Sequence, residues 1–279
     1  MIRFFLILVT ISLLSACKRD NTPDVSGIDA DVKILRTENE IFNMQEFKDI
    51  DNLIKSHPAF YQLYFKEILM FPNDKNQDSI YKSLQMFVKD SLVTDLFEKV
   101  KNKYSDMSAL KDQTDLMYRY LLYYFPNKTS IPNLYTFISE FGYQIFIFQD
   151  DGGKDGIGIG LDMFLHPDIN YKMIDPDNTN FSDYITRTWN KDHLVKKIAD
   201  LHVADIVGEA PGHRLIDQMI HNGKMLYITD LLLPSVHDSI IVEYTGKQLE
   251  WCQENELQMW SFFFDQKLFY ESNPTKISK

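Results

Sequence analysis

Cysteine is nearly absent: the 279 residues hold only Cys17 and Cys252, so at most one disulfide can form. Neither lies in a C-x-x-C pair, which excludes a structural zinc ribbon and a thioredoxin-like redox site on spacing. Eleven glycines and ten prolines are too few for a disordered or fibrous chain. The length supports one large domain or two small ones with a proper core. Positive charge is in deficit, with 29 Lys and Arg against 40 Asp and Glu and a net charge of −11. No long basic run offsets this. Binding phosphates needs clustered cations to release counterions, so nucleic acid is excluded as the main partner.

What is present begins at the first residues. Met1 to Arg3 give a short positive start, and Phe4 to Leu14 form an apolar run too short to span a bilayer permanently. This is the pattern of a secretory signal peptide, residues 1–16. It ends in Leu14-Ser15-Ala16-Cys17, which resembles a bacterial lipobox, where small residues precede a cysteine that is acylated before cleavage. Cys17 is therefore the expected lipidation site, and several acyl chains, at about 0.8 kcal/mol per buried methylene, hold a protein stably at a membrane. No second segment is long or apolar enough to cross. Residues 17–33 are polar and aperiodic, as in a tether, and residues 34–279 read as a single domain. Lys18, where some lipoproteins carry Asp, favours the outer membrane by resemblance to known sorting. With Cys17 acylated, Cys252 has no partner and is expected to be a small core residue.

From Asn43 to Phe125 apolar residues recur at helical spacing, punctuated by Pro58, Pro72 and Pro126, with Leu110 to Phe125 as one long helix. The period then changes. Asn133 to Ile138, Gly142 to Phe148 and Gly156 to Met163 are β-branched, aromatic or alternating, which predicts a small antiparallel sheet. Gly156, Gly158 and Gly160 share one strand face, a signal of close packing rather than of a phosphate cradle. Helical patterns resume over Asp192 to Val203 and Leu215 to Leu232, and Thr245 with Gln248 fits a capping box. Leu257, Trp260, Phe263, Phe264 and Leu268 are expected to share a broad apolar face. The succession gives an α+β fold, mostly helical, with the sheet between helical regions.

Chemistry-bearing patterns are sparse. Five of seven histidines lie between residues 193 and 237, which makes a metal site the first hypothesis to test. A zinc-protease helix needs two histidines four apart, so that both imidazoles reach one ion. Lys197 follows His193 at that spacing, Ile198 precedes His202, Asp217 follows His213 and Met225 follows His221. His213 and His221 stand about 12 Å apart along a helix, too far for one ion. Glu209 and Asp217 are carboxylates that different elements could add. Ser182, Ser235 and Ser239 lie in no nucleophile elbow, and the Asp150 to Asp155 insert does not fit an EF-hand loop. Asp150-Asp151 and Glu254 with Glu256 read as solvated acidic faces. No catalytic, metal or cofactor-binding residue is therefore expected.

Several segments carry a family resemblance: Gly158-Ile159-Gly160-Leu161-Asp162-Met163-Phe164-Leu165, Asp183-Tyr184-Ile185-Thr186-Arg187, Leu215 to Tyr227, and Tyr244 to Glu256 with its Trp251-Cys252 and Glu254-Asn255-Glu256. In order and spacing the chain resembles the gliding-motility lipoprotein GldB family of Bacteroidota. That resemblance implies an envelope lipoprotein, lipid-anchored through Cys17 and facing the periplasm. It further implies protein partners in the gliding machinery and its associated type IX secretion system. It also implies a further apolar helical stretch beyond Lys279. Such proteins look like relatives of gluzincin-type zinc peptidases, which carry His-Glu-x-x-His on the helix after the sheet. The corresponding segment, Lys191 to Asp200, has no such pair, so the implied scaffold is zincin-like without its catalytic metal. The expected function is non-enzymatic protein or peptide binding; the alternatives are a metal-dependent hydrolase with an unrecognised site and a solute-binding lipoprotein.

Overall fold

The computed structural model describes residues 22–44, 46, 49–72, 77–127 and 130–277; the signal peptide and Cys17 lie outside the described residues. Strand β1 (Ile34–Arg36) leads into α1 (Thr37–Phe42), α2 (Ile50–Ser56) and α3 (Pro58–Leu63), which runs on as a π-helical turn over Tyr64–Ile68. Helices α4 (Gln77–Lys89), α5 (Ser91–Lys103) and α6 (Ser108–Tyr124) complete the helical half. Strands β2 (Asn133–Phe137), β3 (Ile145–Gln149) and β4 (Asp155–Gly160) follow. The chain then forms α7 (Asp183–Thr186), α8 (Leu194–Val207), α9 (Leu215–Leu232), α10 (Asp238–Ile241), α11 (Gly246–Glu254), α12 (Glu256–Asp265) and α13 (Pro274–Ile277). The α+β class, mostly helical, is as the patterns indicate.

Local signals place the helix ends. Pro58 opens α3, where its missing N–H costs nothing. Asp90 caps α5 by accepting from Leu92 N at 2.8 Å and Val93 N at 3.1 Å. The predicted box at α11 is formed, with Thr245 N donating to Gln248 Oε1 at 2.9 Å and Gln248 N to Thr245 Oγ1 at 3.3 Å. The helix expected from Asp192 begins instead at Leu194, after a 3₁₀ turn over Lys191–His193 capped by Asn190.

The sheet corrects the antiparallel expectation. Its strand order is β1-β2-β4-β3; β1 with β2 and β2 with β4 are parallel, and only the β3–β4 hairpin is antiparallel. Its two faces differ in composition. One carries Asn133, Tyr135 and Phe137, the three β4 glycines, and Phe146 and Phe148, all in register. A Cβ at Gly158 would lie 2.4 Å from the Phe146 ring and one at Gly156 2.6 Å from Phe148, so the glycines make room for aromatic rings of the neighbouring strand. Phe60 of α3 stacks on Tyr135 with ring centroids 4.6 Å apart, and Tyr64 donates to Ile138 O at 2.8 Å. The other face is aliphatic, with Leu134, Ile157 and Ile159 fully buried.

Part of the expected tether belongs to the core. Val25, Ala30 and Val32 are buried, Val32 N donates to Asp115 Oδ1 at 2.8 Å, and Lys111 bridges Asp31 and Asp115 at 2.7 Å each. Short apolar residues spaced among polar ones hide this packing from a composition count. At the other end the apolar stripe lies on α12, with Leu268 in the 3₁₀ turn after it, and it is covered only in part: Leu257 is 76% and Phe264 73% exposed, while Phe263 and Leu268 are half-buried. Cys252 is half-buried on α11, a helix with no fully buried residue, which corrects its assignment to the core.

Candidate functional site

The segments 179–189, 191–200 and 239–245 meet at a hollow beside the start of β3. At its centre is Glu243, at position C′ of α10. Tyr244 N donates to Ser239 O at 3.0 Å and Glu243 N to Ile240 O at 3.3 Å, a Schellman closure. That closure puts Glu243 at φ 57°, a left-handed conformation usually taken by glycine.

Both ends of Glu243 are engaged. Its carbonyl accepts from Arg187 Nη2 at 2.8 Å, while its carboxylate accepts from Lys197 Nζ at 2.6 Å and Lys196 Nζ at 3.0 Å. Lys196, which is buried, also reaches Asp200 at 2.7 Å, one helical turn along α8. Burial works against the Glu243 charge, but Lys197 and Lys196 outweigh it and hold the carboxyl below its usual range. Burial likewise opposes the Lys196 charge, and Asp200 and Glu243 reverse this and hold the ammonium above its usual range. His193 lines the same region with Nδ1 2.9 Å from Asn190 Oδ1, and burial lowers its affinity for a proton. Arg187 lies over the Tyr184 ring, 4.2 Å from its centroid.

A second polar group sits at the far end of the sheet. Asp150, expected to be solvated, is buried; it accepts from Tyr135 Oη at 2.8 Å, Asn133 Nδ2 at 3.1 Å and Asp151 N at 2.8 Å. His57 Nδ1 stands 3.2 Å from the same Tyr135 hydroxyl. These bonds tie β2 to the end of β3. Asp162, fully buried, accepts from Ser139 N at 3.0 Å, Phe141 N at 2.7 Å and the Ser139 hydroxyl, and so orders the turn after β2, where Glu140 and Phe141 take positive φ. Burial pushes the Asp162 carboxyl up to about 6.

The clustered histidines do not converge. His202 pairs with Tyr118 Oη at 2.7 Å and His237 with Ser239 Oγ at 2.9 Å, while His213 is exposed and His221 half-buried on α9. Asp217 pairs with Arg214 at 2.7 Å, and Glu209 is exposed. Ser182 stands at the N-cap of α7 without a side-chain cap bond, and Ser235 is exposed. Among the described residues no group of three or more His, Cys, Asp or Glu side chains is arranged to hold a metal ion. Nor, among them, is any helix long and apolar enough to cross a membrane.

The family model of the gliding motility protein GldB matches residues 18–279. The chain belongs to that family. No curated protein and no solved structure matches it. Arg187 and Tyr244 lie within segments that carry the family resemblance, whereas Lys196, Lys197 and Glu243 were not singled out from sequence. The spacing of Lys196 and Asp200 was the one available signal, since i and i+4 share a helix face. Glu243 lies 47 residues from Lys196 and had no local mark.

Proposed function

We propose that the chain is a non-enzymatic lipoprotein of the cell envelope, acylated at Cys17, that supports gliding motility and its associated type IX secretion by binding a peptide or protein segment. The outer membrane, periplasmic side, is the proposed location. The observation that supports a binding role is the commitment of the central carboxylates: Glu243 and Asp200 accept from lysine ammoniums at 2.6 to 3.0 Å. A carboxylate already neutralised in this way is a poor general base and is not open to a cation. We further propose that the scaffold is that of a zinc peptidase in which the helix after the sheet carries Lys196 and Asp200 instead of metal ligands.

The test joins three measurements on the full chain in detergent: metal content, peptide cleavage with and without chelator, and capture of crosslinked partners from envelopes of gliding cells. A partner from the gliding or secretion machinery, without chelator-sensitive cleavage, is the expected result. Stoichiometric zinc with chelator-sensitive cleavage would overturn it and make the protein a hydrolase.

A further inference from the structure

Resting on that peptide-binding role, we propose that the cleft at Arg187 and Gln144 binds a carboxylate-bearing peptide segment. Two adjoining hollows of about 340 and 220 Å³ share Arg187, Thr188, Glu243 and Tyr244. Arg187 gives one N–H to the Glu243 carbonyl, and no acceptor among the described residues takes its other N–H groups. Its guanidinium also lies over the Tyr184 ring, so it is held from two sides, by that ring and by the Glu243 carbonyl, and its remaining N–H groups are donors of the kind that pair with a planar carboxylate.

Gln144 lines the larger hollow, and its side-chain Nε2 is buried without a partner among the described residues. A buried donor left unmatched is unfavourable, and a rotation of the Gln144 side chain into the hollow would offer it to a ligand oxygen. The three segments are balanced in charge, with Arg187, Lys191, Lys196 and Lys197 against Asp183, Asp192, Asp200 and Glu243, so it is the direction of the open donors and not a net excess that favours an anion here. Lys196 and Lys197 are turned to Glu243, which leaves Arg187 as the cation open to a ligand. Ile185, Trp189 and Val242 line the larger hollow and provide apolar wall for the residue beside the carboxylate.

Calorimetric titration of the full chain in detergent tests this with three probes. They are acetyl-alanyl-phenylalanyl-alanine, its C-terminal amide, and the amide of acetyl-alanyl-phenylalanyl-aspartyl-alanine. A carboxylate probe should bind about tenfold or more tightly than the neutral amide, and less so as salt is raised. Preference for the free acid assigns the site to a chain terminus; equally tight binding of the aspartyl amide assigns it to acidic side chains. Arg187→Lys should weaken binding about tenfold through loss of the fork. Gln144→Leu should weaken it while leaving the melting temperature unchanged or higher, which separates binding from folding. Equal binding of acid and amide, or no binding of any probe at millimolar concentration, would overturn the proposal. Capture of an envelope partner despite that result would refute this cleft alone and leave the binding role standing.

Discussion

Replacing Glu243 separates two opposing contributions at one residue. Its side chain accepts from Lys197 at 2.6 Å and Lys196 at 3.0 Å, and both lysine side chains are largely buried. A hydrogen bond to a charged group contributes about 1.5–3 kcal/mol, but Glu243 is partly exposed and Lys196 retains Asp200, so the expected loss is about 2 kcal/mol for the pair. Against this, a non-glycine residue in the left-handed region costs about 1–2 kcal/mol, which glycine relieves. Glu243→Ala loses the ion pairs and keeps the strain, so it should unfold about 2 kcal/mol more readily than the native chain. Glu243→Gly loses the same pairs but gains the backbone relief, and should fall about 0–1 kcal/mol short of native. Urea unfolding at pH 7 reads both differences. The sign with pH follows from the lowered Glu243 carboxyl: its contribution is complete above the unfolded value near 4.5 and is lost as pH falls through the folded value. The native-minus-variant gap should therefore shrink in acid. Equal stability of the alanine and glycine variants would refute the strain, and a glycine variant more stable than native would refute the value assigned to the ion pairs.

Gly158→Ala would place a Cβ 2.4 Å from the Phe146 ring and should destabilise the fold by about 1–3 kcal/mol, whereas Gly223→Ala, with open space on an α9 position, should be neutral or stabilising by thermal unfolding. Tyr135→Phe removes a donor from buried Asp150 and should cost about 1–3 kcal/mol in urea unfolding; Tyr135→Phe combined with Asp150→Leu should recover part of that loss. Asp162, raised to about 6 by burial, contributes in the opposite sense to Glu243: its share is fully present below the unfolded value of 3.8 and is lost as pH rises through about 6. Unfolding of native and Asp162→Asn chains between pH 4 and 7 should show that slope in the native chain alone.

The helices were legible where the determinants are local. Leu215 to Leu232 is found with the bounds its periodicity indicates, and the Thr245 box forms because its two partners lie three residues apart. The sheet was legible only in part. β3 and β4 announce themselves by aromatic and glycine alternation, but β1 has three residues and pairs with positions a hundred residues away, at Leu134 to Thr136. No local pattern distinguishes a parallel neighbour from an antiparallel one, so the mixed topology was hidden. Asp150 reads as a turn acid until Tyr135 and Asn133 are brought to it from another strand. The cleft was least visible, because its parts come from three segments and its central residue breaks a local preference, a glutamate where a glycine is usual.

That broken preference bears on what the cluster does. A buried ion network is weak support for stability, since apolar residues of similar volume often do as well or better. A glutamate held in a left-handed conformation adds a further cost that glycine would avoid. By the values above the ion pairs outweigh that cost by at most about 1 kcal/mol, so stability is only a small part of what Glu243 does. The larger part is position: its carbonyl holds Arg187 from one side and its carboxylate holds Lys196 and Lys197 from the other, so one residue sets the spacing of three cations. Arg187 and Lys197 both line the larger hollow, and Gln144 with its unmatched donor lines it too. A strained, prearranged set of donors is what a binding site needs in order to meet an anion without reorganising. The same arrangement gives two carboxylates a place in a cleft proposed to take a third: they hold the lysines in position and leave the remaining N–H groups of Arg187 open to one carboxylate.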